Sequence, residues 1–214
     1  MKIIRAGYEI EPVDVEPILR RIELAGRTAY KSEELATETS APAFIKKIVK
    51  MGHLSVVEHG SVTVRMICDR GVTHELVRHR VASYTQESTR YCNYSKEKFG
   101  NEITVIEPLF WREDKEGTTK LRELWIKSME EAEKSYFELL ESGASPQEAR
   151  SVLPNSLKTE IVVTMNLREW RHFFQLRAVR VAHPQMREIA IPLLKDFQKM
   201  FPAIFSDLEA ASIE

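Results

Sequence analysis

The chain has 214 residues, 43% apolar and 29% charged, enough to bury a sizeable core in one domain or one domain with an appendage. Lys plus Arg number 31 against 32 for Asp plus Glu, which excludes a chain-wide basic footprint for nucleic acid or a membrane; any basic site has to be local. Cys68 and Cys92 are too few for a disulfide framework and lack paired zinc spacing. The opening MKIIRAGYEIEPVD turns acidic early, and no apolar run reaches the roughly 18 residues of a membrane span, so a cytoplasmic location is expected.

Residues 2–5 (KIIR) predict a short strand. Pro12 and Asp14 then open a helix carrying Ile18, Ile22, Ala25 and Ala29 at helical spacing, and a second helix follows around AFIKKIVKMG, ended by Gly52. The stretch HLSVVEHG holds His53, Ser55, Glu58 and His59 without periodicity. Its spacing fits no common zinc arrangement, which favours hydrogen-bonding roles over metal. From Ser61 to Cys68 the sequence alternates, with Val62, Val64, Met66 and Cys68 on one face of a half-buried strand. Gly71 precedes a short helix, VTHELVRH, which leads into RHRVASYTQESTRY at 78–91.

That stretch offers almost nothing to bury. Guanidinium forks suit phosphate oxygens, hydroxyls and Gln86 suit a polar ring edge, and Tyr84 or Tyr91 offers a stacking face, so a small anionic planar ligand fits its composition. A solvated polar loop is the plainer reading, and cations at a helix end explain one or two of its basic residues. Cys92, two residues past Arg90, sits in an electropositive setting that could lower a thiol pKa, but with no histidine near in sequence it reads as a bystander.

ITVIEP predicts a strand, REDKEG a turn, and a long helix is expected from about Thr118 to Glu141 with Leu121, Leu124, Trp125, Ala132, Tyr136, Leu139 and Leu140 as its apolar stripe. Gly143 stops it, and Ser145, Pro146 and Glu148 form a capping-box start just before Arg150. KTEIVVTM reads as a buried strand. Asn166 and Glu169 have the spacing of another capping box, and on the helix that follows Arg177 falls near the angle of Trp170 and Phe173, at about 3.6 residues per turn. An arginine on an apolar face needs an anionic or hydrogen-bonding partner. Pro184 opens a last helix with Met186, Ile189, Leu193, Phe197 and Phe201, kinked at Pro192, and the tail after Phe205 is expected to fray.

No GxG occurs, so arginines have to hold the phosphates of any dinucleotide. The order RHR at 78–80, seven residues, Ser88, one residue and Arg90 resembles the signature of the flavin-dependent thymidylate synthases, and HLSVVEH, ARSVLP around Arg150 and NLREWRHFFQLRA from Asn166 are similar to further segments of that family. The resemblance implies reductive methylation of dUMP to dTMP. Methylenetetrahydrofolate would donate the carbon and NADPH would reduce bound FAD; hydride would pass from the reduced flavin to the uracil without an enzyme cysteine nucleophile.

It further implies an α+β fold, with a central antiparallel sheet flanked by helices, in a single domain spanning 1–214 and a homotetramer with active sites at subunit junctions. Carried over by position, Arg177 lies at the pyrimidine as the catalytic residue. Glu75, Arg78, Gln86, Glu87, Ser88, Thr89, Arg90 and Arg150 match dUMP contacts. Ser55, Arg78, His79, Arg80, Gln86, Asn166, Arg168 and His172 match the FAD site; no metal, nucleic acid or membrane is implied.

The chain departs from the pattern in three ways. Thr85-Gln86 stands where many relatives have Asn-Glu, which leaves Glu87 to supply the charge. His172 and Glu75 replace asparagine and glutamine, and RAVRVAHPQ is longer than in relatives. Two other classes compete: a single-strand nucleic-acid module, from arginines interleaved with Tyr84, Tyr91 and Tyr94, and a metal hydrolase built on His53, Glu58, His59, His74 and His79.

Overall fold

The short apolar runs near residues 2 and 104 form strands and pair with each other. In the computed structural model, which describes residues 1–112 and 117–211, β1 (Lys2–Ile4) lies parallel to a strand at Thr104–Ile106, with Ile3 opposite Val105. After β2 (Gly7–Ile10), α1 (Val15–Tyr30) starts at Asp14. Its inward stripe is Ile18, Ile22 and Gly26, with Ala29 exposed. The same face buries the Glu23–Arg27 pair, joined at 2.8 Å, which satisfies two charges that burial would otherwise penalise. Then come α2 (Ala41–Lys50), closed by Gly52 at φ 78°, and a 3₁₀ turn at Leu54–His59.

β3 (Ser61–Asp69) buries Val62, Val64, Met66 and Cys68 as the alternation predicts. Asp69 caps α3 (Arg70–Leu76) by accepting from the Val72 N–H at 2.8 Å. The polar stretch beyond it is not all loop: Ala82–Gln86 forms β4. Next are β5 (Thr104–Ile106), α4 (Thr119–Glu141) and α5 (Pro146–Ala149), whose start is the predicted capping box of Ser145 and Glu148. On α4 the inward residues are Trp125, Met129 and Tyr136, whereas Leu121 and Leu124 are exposed, so its stripe is narrower than expected. Most of the predicted REDKEG turn lies outside the described residues.

β6 (Lys158–Asn166) is followed by α6 (Leu167–Arg177), α7 (Pro184–Met200) with Pro192 inside it, and α8 (Pro202–Phe205). The segment past Phe205 is anchored up to Ala211 rather than frayed. Asp207 pairs with Arg171 at 2.7 Å, Gln198 donates to Leu208 O, and Ala211 N–H donates to Ala178 O.

The main sheet has the order β2-β3-β6-β4 and is antiparallel. Its register shows at β3, where Gly60 O accepts from Leu167 N and Thr63 meets Thr164 at 2.8 Å, so that β6 recedes as β3 advances. The chain divides into two compact units. The first, residues 1–7, 66–78 and 85–161, packs Tyr94, Ile103, Val105, Trp125, Met129, Tyr136 and Leu157 into its own core. The second, residues 8–65, 79–84 and 162–214, is built on an aromatic cluster of Trp170, Phe173, Phe174, Phe197, Phe201 and Phe205. Its ring centroids lie 5.1 to 6.4 Å apart, mostly edge to face or tilted. At Gly60 a Cβ would lie 2.6 Å from Ile18 and 2.9 Å from Leu167, so only glycine lets this entry to β3 pass.

Candidate active site

α6 organises the chemistry of the second unit. Asn166 starts it by accepting from the Glu169 N–H at 2.8 Å, but the Glu169 carboxylate does not return to the cap. It lies 3.2 Å from Nδ1 of His79, which is buried with its ring edge-on to Phe173 and His172. On the other side of the ring, Arg177 Nε donates to His79 Nε2 at 3.2 Å. An imidazole is thus one partner of the arginine at this angle. The Tyr84 hydroxyl donates to the His79 carbonyl at 2.7 Å and fixes the backbone as well. Burial lowers the His79 pKa; the Glu169 hydrogen bond works against that, and Arg177 and His172 add to it. Burial and Glu169 raise the Tyr84 phenol to about 12.

A cavity of about 510 Å³ in this unit is lined by Leu54, Glu58, Val81, Asn166, Arg168 and His172, among others. Arg168 forms an ion pair there with Glu58. Three of the residues predicted for the cofactor thus share one cavity wall. Ser55, next to Leu54, and Arg80, next to Val81, are exposed in the same unit.

In the first unit the 86–90 segment is organised differently. Gln86 Nε2 donates to Thr73 Oγ1 at 3.1 Å and to Thr159 Oγ1 at 3.2 Å. Because the Thr73 hydroxyl already donates to Arg70 O, its oxygen has to accept, and only a donor such as an amide N–H serves it. This accounts for an amide at position 86, and it turns that side chain's donors toward the fold. Glu87 is likewise engaged, accepting from Tyr94 Oη and from Lys158 Nζ, each at 3.0 Å.

Lys158 also meets Glu160. Burial disfavours its charge, but the bonds to Glu160 and Glu87 outweigh that and raise its pKa. Ser88 anchors the turn, its carbonyl accepting from Tyr91 and Cys92 N–H and its Oγ from Arg90 N–H. Thr89 is buried and accepts from Arg150 Nη1 at 3.4 Å. Arg78, Arg90 and Arg150 are exposed, Arg90 lying over the Tyr91 ring, and Glu75 is half-buried in α3.

Sequence reasoning missed Glu169, Lys158 and Tyr94 as charge partners. The opposite charges of Lys158 and Glu160, two apart on one face of a strand, were a legible signal; the Glu169–His79 pairing, distant in sequence, was not. The structure also bears on three rival readings. Burial, then Glu87, raises the Cys92 pKa instead of lowering it, and burial raises Cys68 as well, so neither thiol is activated.

Tyr84 and Tyr94 are packed into the fold, leaving Tyr91 alone exposed of the three and no stacking platform made from them. Of the residues in the metal-hydrolase reading, only His79 joins a compact group, bringing one atom within 4.8 Å of Glu169 and His172. Its Nε2 lone pair already faces the Arg177 N–H, and the adjacent guanidinium repels a cation.

The model of the family described as "Thymidylate synthase complementing protein" matches residues 14–203. A flavin-dependent thymidylate synthase of Pyrococcus abyssi is 41% identical over 93% of this chain and 80% of its own length, and those of Pyrococcus furiosus and Geobacter sulfurreducens are 36% and 37% identical. The chain belongs to the flavin-dependent thymidylate synthase family. A UMP/dUMP methylase from Streptomyces cacaoi, bound with 5-Br dUMP, has the same fold: TM-score 0.78, 23% identity, 96% of each chain covered.

As a member of that family the chain is an enzyme, and the cavity on α6 fits its cofactor. A guanidinium, an imidazole and the N-terminus of an 11-residue helix suit the phosphates of a dinucleotide, and Leu54 and Val81 give the wall apolar area for a ring. Among the described residues no helix is long and apolar enough to cross a membrane.

Proposed function

We propose that this chain makes dTMP by reductive methylation of dUMP in the cytoplasm, with FAD bound along α6, NADPH as reductant and methylenetetrahydrofolate as carbon donor. The observation that carries this reading is that Asn166, Arg168 and His172 line one cavity, while on the same helix His79 holds Arg177 by its Nε. With Nε donating to His79, the direction of the Arg177 guanidinium is set. A guanidinium so fixed stabilises the negative charge that develops on the uracil oxygens during attack.

Bound flavin supplies the hydride for the reduction. Arg168 and the start of α6 hold its phosphates, Arg168 exchanging Glu58 for the ligand, with Ser55, Arg78, His79, Arg80 and His172 around it. On the nucleotide side Arg78, Arg90 and Arg150 meet the dUMP phosphate, with Ser88 and Thr89 shaping the turn that presents them and Glu75 on the preceding helix. Gln86 and Glu87 act as braces through Thr73, Thr159, Lys158 and Tyr94. Residues 1–214 work as one synthase domain, and four subunits assemble with sites completed at their junctions.

The test is the visible spectrum of the purified protein, with dUMP and then NADPH added, followed by a dTMP assay with the folate. An oxidised-flavin spectrum that NADPH bleaches, at a rate dUMP alters, and dTMP formation are expected. A protein that stays colourless after incubation with FAD contradicts the reading.

A further inference from the structure

We infer that Glu169 is a positioning residue for this reaction: through His79 it fixes the imidazole tautomer that holds the Arg177 guanidinium in place. The inference rests on the synthase reading for the reaction, but its core is geometric. Arginine Nε is always a donor, so the His79 Nε2 that receives it at 3.2 Å has to present a lone pair. A neutral imidazole then carries its proton on Nδ1, and Nδ1 faces the Glu169 carboxylate at 3.2 Å. Glu169 accepts that N–H, and so the ring is held in the one protonation state, neutral with Nδ1–H, that accepts from Arg177.

Without Glu169 the Nε2–H tautomer becomes accessible. Two N–H groups would then face each other and the Arg177–His79 hydrogen bond would be lost. The charged groups that act on the ring are Glu169, Arg177 and His172, and of these Glu169 is the acid. From α6 the ring meets Arg177, His172 and Phe173 as well as Glu169, and from β4 the Tyr84 hydroxyl donates to the His79 carbonyl. Arg78 and Arg80 beside it in sequence are exposed cations. Glu169 is therefore the negative charge that sets the ring.

The same geometry gives a sign for pH. Protonating His79 places a second N–H against Arg177, so activity falls as pH drops through the His79 pKa. Burial, Arg177 and His172 lower that pKa while Glu169 raises it, and removing the Glu169 charge moves the acid limb to lower pH.

The experiment compares wild type with Glu169→Ala and Glu169→Gln, using far-UV circular dichroism as the fold control, kcat and KM for dUMP across pH, and solid-state ¹⁵N NMR of histidine-labelled protein with His79→Gln for assignment. Glu169→Ala should lose kcat by about tenfold to a hundredfold with KM for dUMP little changed, as expected when a reacting group is misplaced rather than removed. Glu169→Gln keeps an acceptor for Nδ1–H and should regain most of kcat, with its acid limb displaced to lower pH. The wild-type His79 signal should be the Nδ1–H tautomer and that of Glu169→Ala a mixture.

A wild-type Nε2–H tautomer, or a Glu169→Ala enzyme with wild-type kcat and pH profile, overturns the inference. A folded wild type that makes no dTMP would sink the synthase reading instead, and the NMR tautomers would still decide whether Glu169 sets His79.

Discussion

The two compact units handle charge in opposite ways. In the first, Glu87, Lys158, Glu160 and Tyr94 form a network in which the lysine meets two carboxylates, and the nearby Arg90 and Arg150 stay exposed. In the second, the contacts run in a line, Glu169 to His79 to Arg177, with each nitrogen of the ring given one role. A network around one lysine stiffens a loop, whereas a line of single contacts sets the direction of the guanidinium. The first arrangement suits presenting cations to a phosphate, and the second suits aiming one guanidinium at a reacting ring.

The largest break in this comparison is Arg177→Ala. Turnover to dTMP should fall by on the order of 10² to 10³, the usual cost of removing a donor aimed at developing charge, while circular dichroism stays that of the wild type. Unchanged turnover would take Arg177 out of the chemistry. Lys158→Met should act on stability instead, leaving Glu87 and Glu160 unbalanced at a cost of about 1–3 kcal/mol in chemical denaturation. A loss of turnover in that variant without a loss of stability would mean that the network is not a brace.

The pH dependence of stability sharpens the contrast, because the two units should fail on opposite sides. The raised Lys158 pKa contributes stability that is complete below the unfolded lysine value, roughly pH 10.4, and is lost as pH rises through the folded value. The Asp207 pKa is lowered mainly by its bonds from Arg171, so that pair contributes stability above the unfolded aspartate value, roughly pH 3.9, and loses it as pH falls through the folded value. Melting temperatures of Lys158→Met and Asp207→Asn against pH should converge on wild type at the alkaline and acid ends respectively. The smallest effect belongs to Cys92→Ser, whose turnover should match wild type, since its thiol is held protonated. Lost activity there would revive a thiol mechanism.

What could be read from the sequence follows the same physics. β3 was legible because it is buried on one face only, and the capping box at Ser145 because it is local. β4 was not: ASYTQ lies at the sheet edge with neither face apolar, so its pairing is set by its neighbour and leaves no periodic trace. Leu121 and Leu124 match a helical stripe yet are exposed, since the inward direction of α4 is set by Trp125, Met129 and Tyr136. The tail is held by single long-range contacts that no pattern announces, such as Asp207 to Arg171. The motif residues were readable as a set, but which of them aim outward and which brace the fold was not, because that depends on partners such as Thr73 and Lys158.

Separate duties for the two groups are tested most directly by a pair of binding titrations, FAD and then dUMP at saturating FAD, on Arg168→Ala and Arg150→Ala. Arg168→Ala should weaken FAD by about tenfold, one charge-assisted contact, and leave dUMP close to wild type, while Arg150→Ala should do the reverse. Equal losses of both ligands in either variant would contradict it.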